Sequence, residues 1–204
     1  MPKPRIFAIV LAGGESRRMG TNKLALPLGG KSVLRRIVDQ MNQSLIDGVV
    51  VVLGPTASSQ AVDVLPPARA AILSKQTSDM RSTLAAGLRE LDCVETLNDE
   101  DGVLVVLGDQ PTIRAAIVDQ LCVHYRSHST NIIIASVSGK RGHPVIIPWR
   151  ILRQLEKLPA DQGLNSLIRA HEELVVELEV SDSAVLSDLD LPADYDALKK
   201  REWD

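Results

Sequence analysis

Aromatic residues are scarce in this chain: one Phe, two Tyr and two Trp among 204 residues. That leaves little for the stacked-ring platforms on which single-stranded nucleic acid is usually held. Nor is there an excess of positive charge. The formal net charge is −3, so the global basic footprint of a nucleic-acid binder is missing and no nucleic-acid partner is expected. Cysteine is equally rare. Cys93 and Cys122 are far apart, with no CxxC spacing and no adjacent histidine cluster, which excludes a disulfide framework and a structural zinc site. No apolar run approaches the roughly 20 residues of a membrane span. The opening "MPKPRIF" is followed by an apolar run that stops at glycines, too short for a secretory leader. A cytoplasmic protein with no membrane contact is expected.

What is present is a hydrophobic fraction of 45%, enough for a well-buried core. It is organised as alternating strand-like and helix-like segments. "RIFAIVL" (5–11), "GVVVVLG" (48–54), "AAILS" (70–74), "GVLVVLGD" (102–109) and "NIIIASV" (131–137) are continuous apolar runs. Helical periods fall at 31–45, 77–91 and 112–125. Continuous rather than alternating hydrophobicity means strands covered on both faces. The predicted class is therefore α/β, a three-layer, Rossmann-like and mostly parallel sheet flanked by helices. After about residue 137 the alternation loosens: a turn feeding a short strand, a helix at "WRILRQLEKL", a loop and short helix at 159–173, a half-exposed strand "LVVELEV" and a charged terminal helix. One domain over 1–204 is the simplest organisation.

In such sheets ligands bind beyond the carboxyl ends of the strands. The loop after the first strand, "LAGGESRRMGTNK" (11–23), combines glycines with Arg17, Arg18 and Lys23. Glycines let backbone N–H groups approach one anion, and arginine grips phosphate oxygens in bidentate fashion. A phosphate-binding loop is the reading, against the alternative of a tight turn with a solvated basic cluster. It is not a dinucleotide fingerprint, because no G-x-G-x-x-G is present. "ALPLGGKS" (25–32) ends like a P-loop, but Ala25 stands where its first glycine belongs and no strand precedes it. "GGKS" is read instead as a turn that starts a helix.

The opening loop with "LPLGGKSVLRR" resembles the sugar-nucleotidyltransferase-like superfamily, whose fold is nucleotide-diphospho-sugar transferase-like. Within it the chain is similar to the MobA-like NTP transferases. Leu11 to Gly14, Ser16, Arg18, Met19, Gly20 and Lys23 match the motif. "SDMRSTLAAGL" (78–88) is similar to a second family segment, with Asp79 where glycine is usual. "GDQP" (108–111) and "RGHPV" (141–145) resemble the cytidylyltransferase, MocA-like branch and its purine-catabolism relatives. "ADQGLNSLI" (160–168) is similar to a segment in which Leu164 and Asn165 replace Ala and Arg. "DLDLPADY" (188–195) resembles the terminal Asp-x-Asp-x-Pro motif. Glycine at position 13 is the guanylyl habit, whereas the two downstream segments agree on the cytidylyl branch.

The resemblance implies a Mg²⁺-dependent nucleotidyltransferase. It would join a nucleoside triphosphate, CTP in preference to GTP, to a phosphorylated pterin of the molybdopterin type and release pyrophosphate. Nucleotide binding falls to Leu11, Ala12, Gly13, Gly14, Arg18, Lys23 and Ser82, and catalytic roles to Arg18, Lys23 and Asp109. Asp109 and Asp190 are the metal ligands, with Asp188 and Asp194 as decoys at similar spacing. Gly142, His143 and Pro144 face the acceptor, so the nucleotide half is about 1–110 and the acceptor half about 111–204. His124, His128 and His171 are read as structural or surface residues. Two alternatives stay open: a sugar or alditol phosphate acceptor, or a non-catalytic cofactor-binding protein. The latter would serve a molybdenum hydroxylase, which is also the partner enzyme considered for the transferase.

Overall fold

The computed structural model describes residues 3–77 and 79–203. Strand β1 (Ile6–Ala12) is buried nearly throughout. Its side chains alternate between two cores. Ile6, Ala8 and Val10 enter one, Phe7 and Ile9 the other, as the two-residue strand period requires. After the opening loop, a small hairpin pairs β2 (Pro27–Leu28) with β3 (Lys31–Ser32). Gly29 and Gly30 turn it with positive φ, and Ser32 then caps helix α1 (Val33–Gln43) by accepting from the Arg35 N–H at 3.0 Å. The "GGKS" segment is thus the turn that feeds a helix, as expected.

Strand β4 (Gly48–Leu53) follows, then a stretch of 3-10 helix over Pro55–Asp63 that hydrophobic periodicity did not signal. Strand β5 (Arg69–Ile72) is a largely exposed edge. Helix α2 (Met80–Val94) leads to β6 (Gly102–Leu107), and α3 (Ala115–Ser127) to β7 (Ile132–Val137). The expected short strand after that is the nine-residue β8 (Lys140–Pro148). "WRILRQLEKL" makes only one α-helical turn, α4 (Trp149–Leu152), before tightening to a 3-10 segment at Arg153–Lys157. Helix α5 (Leu164–Arg169), the half-exposed β9 (Val175–Glu179) and helix α6 (Pro192–Lys199) complete the chain.

Seven strands form one sheet in the order β5-β4-β1-β6-β8-β7-β9. β5, β4, β1 and β6 are parallel, as are β7 and β9, while β8 is antiparallel to both of its neighbours. Helices α1 and α3 pack on one face through Leu34, Ile37, Met41, Leu121 and Tyr125, and α2, α4 and α5 on the other through Leu84, Leu88, Ile151 and Leu167. This is the expected three-layer arrangement. The chain builds β4 and β5 on one side of β1, then returns to lay β6 on the other. The crevice beyond the ends of β1 and β6 is therefore a topological switch point, where open α/β sheets bind ligands. Among the described residues no helix is long and apolar enough to cross a membrane.

Candidate active site

At that switch point lies a cleft of about 470 Å³, lined by Leu11 near the end of β1, Gly13 and Gly14 of the opening loop, Leu107 at the end of β6 and Asp109 just beyond it, and Asp188 and Asp190 from the segment before α6. Gly108 is dictated by this junction. A Cβ there would sit 2.7 Å from the Leu11 carbonyl oxygen, so only glycine lets the two loops cross so closely.

Asp109 and Asp190 are 81 positions apart in the chain, and the fold brings them to one ammonium group. Lys23 Nζ donates to Asp109 Oδ2 at 2.7 Å, to the Leu189 carbonyl at 2.9 Å and to Asp190 Oδ1 at 3.2 Å. Arg18 Nη1 donates to Asp190 Oδ2 at 2.8 Å. The acidic segment is pinned to the β6 loop. The Leu189 N–H donates to the Asp109 carbonyl at 2.8 Å, and Gln110 Nε2 to Asp188 Oδ1 at 2.8 Å. Lys23 is itself set by its backbone, whose N–H donates to Ser16 Oγ at 3.2 Å.

The other sites named from the sequence fall around this centre. Leu11, Gly13 and Gly14 line the cleft; Ala12 is buried beneath it. Arg18 and Lys23 line an adjoining notch of about 170 Å³ that shares Asp190 with the cleft. From α2 the cleft takes Met80 and Thr83, not Ser82, whose N–H is occupied by the Asp79 cap at 2.7 Å. Ser78, the first residue of that segment, lies outside the described residues. Asp194 turns away to accept from the Asp190 and Leu191 N–H groups, whereas Asp188 stays on the cleft. Gly142 and His143 line a second cavity beside β8, with Pro144 buried behind them. Burial pushes the His143 imidazole down, against the opposing pull of Asp188 and Asp109, so the neutral form is favoured. His124 and His128 stack on each other along α3, away from the cleft.

Sequence reasoning missed Thr77, Met80, Thr83, Glu15 and Leu107, all on the cleft wall. The Thr77 and Thr83 hydroxyls bond each other at 2.6 Å, and Glu15 pairs with Arg17. Threonines and a paired surface acid carry no sequence signal of their own. Thr83 was one residue from a named one.

The donor set suits a small hard cation. Among the described residues Asp109 Oδ1 is buried without a hydrogen-bond partner, an orphan acceptor of the kind a metal satisfies. Among the described residues no three Asp, Glu, His or Cys side chains form a metal cage. Mg²⁺ commonly takes only one or two protein carboxylates, completing its shell with water and substrate phosphate oxygens. The lining also carries five carboxylates, from Glu15, Asp79, Asp109, Asp188 and Asp190. Against these stands one cation of the same lining, Arg17, paired with Glu15, so a bound cation would offset the excess negative charge of this wall.

A sequence model described as MobA-like NTP transferase domain matches residues 8–174. Among curated proteins, the purine catabolism protein PucB of Bacillus subtilis is 27% identical over 98% of both chains. A molybdenum cofactor guanylyltransferase of Mesorhizobium japonicum is 29% identical over 89% of this chain and 86% of its own. Among solved structures, Rv0371c of Mycobacterium tuberculosis superposes with a TM-score of 0.80 at 26% identity, over 98% of this chain and 100% of that one. The same mycobacterial protein has also been solved in complex with manganese, with a TM-score of 0.75 at 25% identity over 97% of this chain and 100% of that one. The architecture is that of the nucleotide-diphospho-sugar transferases.

Proposed function

The chain belongs to the MobA-like NTP transferase family, and from that premise we propose that it transfers a nucleotidyl group, from CTP in preference to GTP, to a phosphorylated pterin of the molybdopterin type. The observation that carries this reading is Lys23, held between Asp109 and Asp190 beside a glycine-lined cleft at the sheet's switch point.

The acceptor phosphate attacks the α-phosphorus and pyrophosphate leaves. An acceptor phosphate is already an anion, so no general base is needed. The protein's task is to align two anions that repel each other and to offset charge on the leaving group. The backbone at Gly13 and Gly14 borders the triphosphate. Arg18 and Lys23, already at the carboxylate pair, supply positive charge for the phosphates. Asp109 and Asp190 would hold Mg²⁺, which when bound neutralises phosphate charge. Leu11 and Leu107 flank the cleft with apolar surface for the nucleoside. His143, two residues beyond the β6–β8 pair Val105 and Val145, sits on the acceptor side as a neutral hydrogen-bonding group.

The CTP preference rests on the "GDQP" and "RGHPV" segments. Gly13, and the guanylyltransferase name of the Mesorhizobium relative, favour GTP as the second reading. The test is pyrophosphate release with Mg²⁺ and molybdopterin, run in parallel with CTP, GTP, ATP and UTP. Release that requires the pterin and is fastest with CTP is the expected result. Fastest release with GTP would transfer the donor assignment to the second reading. No pterin-dependent release with any of the four would overturn the proposal.

A further inference from the structure

Helix α3 carries a second set of metal-ligating side chains. The run "HYRSH" places His124 and His128 four residues apart, on one face of the helix end. Their rings stack with centroids 4.6 Å apart and planes 18° from parallel. Cys122 and Tyr125 of the same turns are fully buried, whereas His124 is half-buried and His128 exposed. The pair therefore lies at the solvent margin of α3. Among the described residues neither ring forms an ion pair; the histidine that does is His171, with Glu173. His128 is pre-set as a ligand. Its Nδ1 lies 3.1 Å from the His124 carbonyl oxygen. A carbonyl cannot donate, so Nδ1 carries the proton and Nε2 keeps a free lone pair. Metal-ligating histidines almost always show this arrangement, with the second ring nitrogen donating to a carbonyl or carboxylate. The His128 backbone is held as well: its N–H donates to the Tyr125 carbonyl at 2.8 Å, and its carbonyl accepts from the Asn131 N–H at 3.0 Å. Burial and the neighbouring His128 push the His124 imidazole down, which favours its neutral, ligating form.

We propose that His124 and His128 form a two-histidine chelate for a divalent d-block ion of the Ni²⁺, Cu²⁺ and Zn²⁺ group, separate from the Asp109–Asp190 pair. The inference goes beyond the transferase reading and does not depend on it. Imidazole suits these ions, whereas carboxylate and water suit Mg²⁺ and Mn²⁺, so the two sites sort metals by ligand chemistry. Metal–nitrogen bonds of about 2.0–2.1 Å place two nitrogens on one ion no more than about 4 Å apart. Rings already stacked reach that spacing by tilting about their side-chain torsions. Among the described residues no third Asp, Glu, His or Cys completes a cage. Water fills the remaining positions, and the ion is exchangeable rather than sealed in a closed structural site. The pairing exists only while the end of α3 is folded, so the ion binds the native chain, clamps that last turn and raises stability by mass action.

The test needs no turnover. The untagged full-length chain is titrated with Ni²⁺ alone by calorimetry at neutral pH, in excess Mg²⁺ to occupy carboxylate sites. The wild type is expected to bind Ni²⁺ and to gain melting temperature with it. His124→Asn and His128→Asn are each expected to weaken binding by more than about tenfold, the scale of losses around metal sites, and to lose the thermal shift. His171→Asn is expected to change neither. Melting temperatures without Ni²⁺ are expected to match the wild type, so a lost shift reports ligation rather than misfolding. A second measurement uses the wild type only: Ni²⁺ is expected to protect both histidines from diethyl pyrocarbonate, read by mass spectrometry. Wild-type Ni²⁺ affinity in both variants, displacement of Ni²⁺ by Mg²⁺, or unprotected His124 and His128 would each overturn the site. Pyrophosphate release plays no part in these outcomes, so failure here and failure of the transferase proposal are distinguishable.

Discussion

Lys23 and Arg18 bring the same charge to the same carboxylate pair from different surroundings. The Lys23 side chain is 13% exposed and makes three contacts, whereas Arg18 is 73% exposed and makes one. An exposed ion pair contributes about 0–1 kcal/mol. Removing one partner from a buried pair costs about 3–5 kcal/mol, because the other charge is left unmatched. Lys23→Met is therefore expected to destabilise the protein by about 2 kcal/mol, between these limits, and Arg18→Ala by less than about 1 kcal/mol. Urea unfolding of both variants checks the order, and a larger loss in Arg18→Ala would contradict it. Arg18 and Lys23 stood out because they share the dense basic loop after β1, and Asp109 because it follows the strongly apolar β6; Asp190, between β9 and α6, was singled out only through the family resemblance. Thr83 was not. Neighbouring helix positions differ by a rotation of about 100°, so which of Ser82 and Thr83 faces the cleft depends on how α2 packs.

At the scale of elements, α2 shows how a departure from the family's usual sequence is absorbed. Asp79 is the N-cap, with φ of −156° and its carboxylate accepting from the Ser82 N–H. That backbone is extended, so glycine is not required there and aspartate gains a cap. Asp79→Ala is expected to cost about 1 kcal/mol and Asp79→Gly only a few tenths; equal losses in urea unfolding would show that the cap contributes nothing. The parallel strands β1, β4 and β6 were legible as continuous apolar runs, since both of their faces are covered. The direction of β8 was not, because "PVIIP" is buried in the same way whichever way the strand points. The 3-10 tightening after α4 was hidden too. Leu152 and Leu155 are both buried, a spacing that α and 3-10 geometry satisfy equally.

The whole molecule supplies what no segment contains: the meeting of Asp109 with Asp190. The switch in strand order beside β1 opens the crevice. The return of the chain after β9 then lays residues 188–190 across the β6 loop, fastened by the Leu189 N–H to Asp109 carbonyl bond and by Gln110 on Asp188. From sequence, resemblance alone joined the two carboxylates; composition and periodicity carry no information about a contact over that separation. His143 lines the cavity beside α5 and by strand register falls next to Leu107 on the cleft wall, so on the proposed reading donor and acceptor would meet at the end of β6. The central claim is that Asp109 and Asp190 form one metal–nucleotide centre. The most direct measurement is binding of Mn²⁺ in the presence of CTP, followed by electron paramagnetic resonance, in the wild type, Asp109→Asn and Asp190→Asn. The account predicts a bound ion in the wild type and affinity reduced by more than about tenfold in each variant, since even outer-shell changes at metal sites cost about that much. Wild-type affinity in both variants would contradict it.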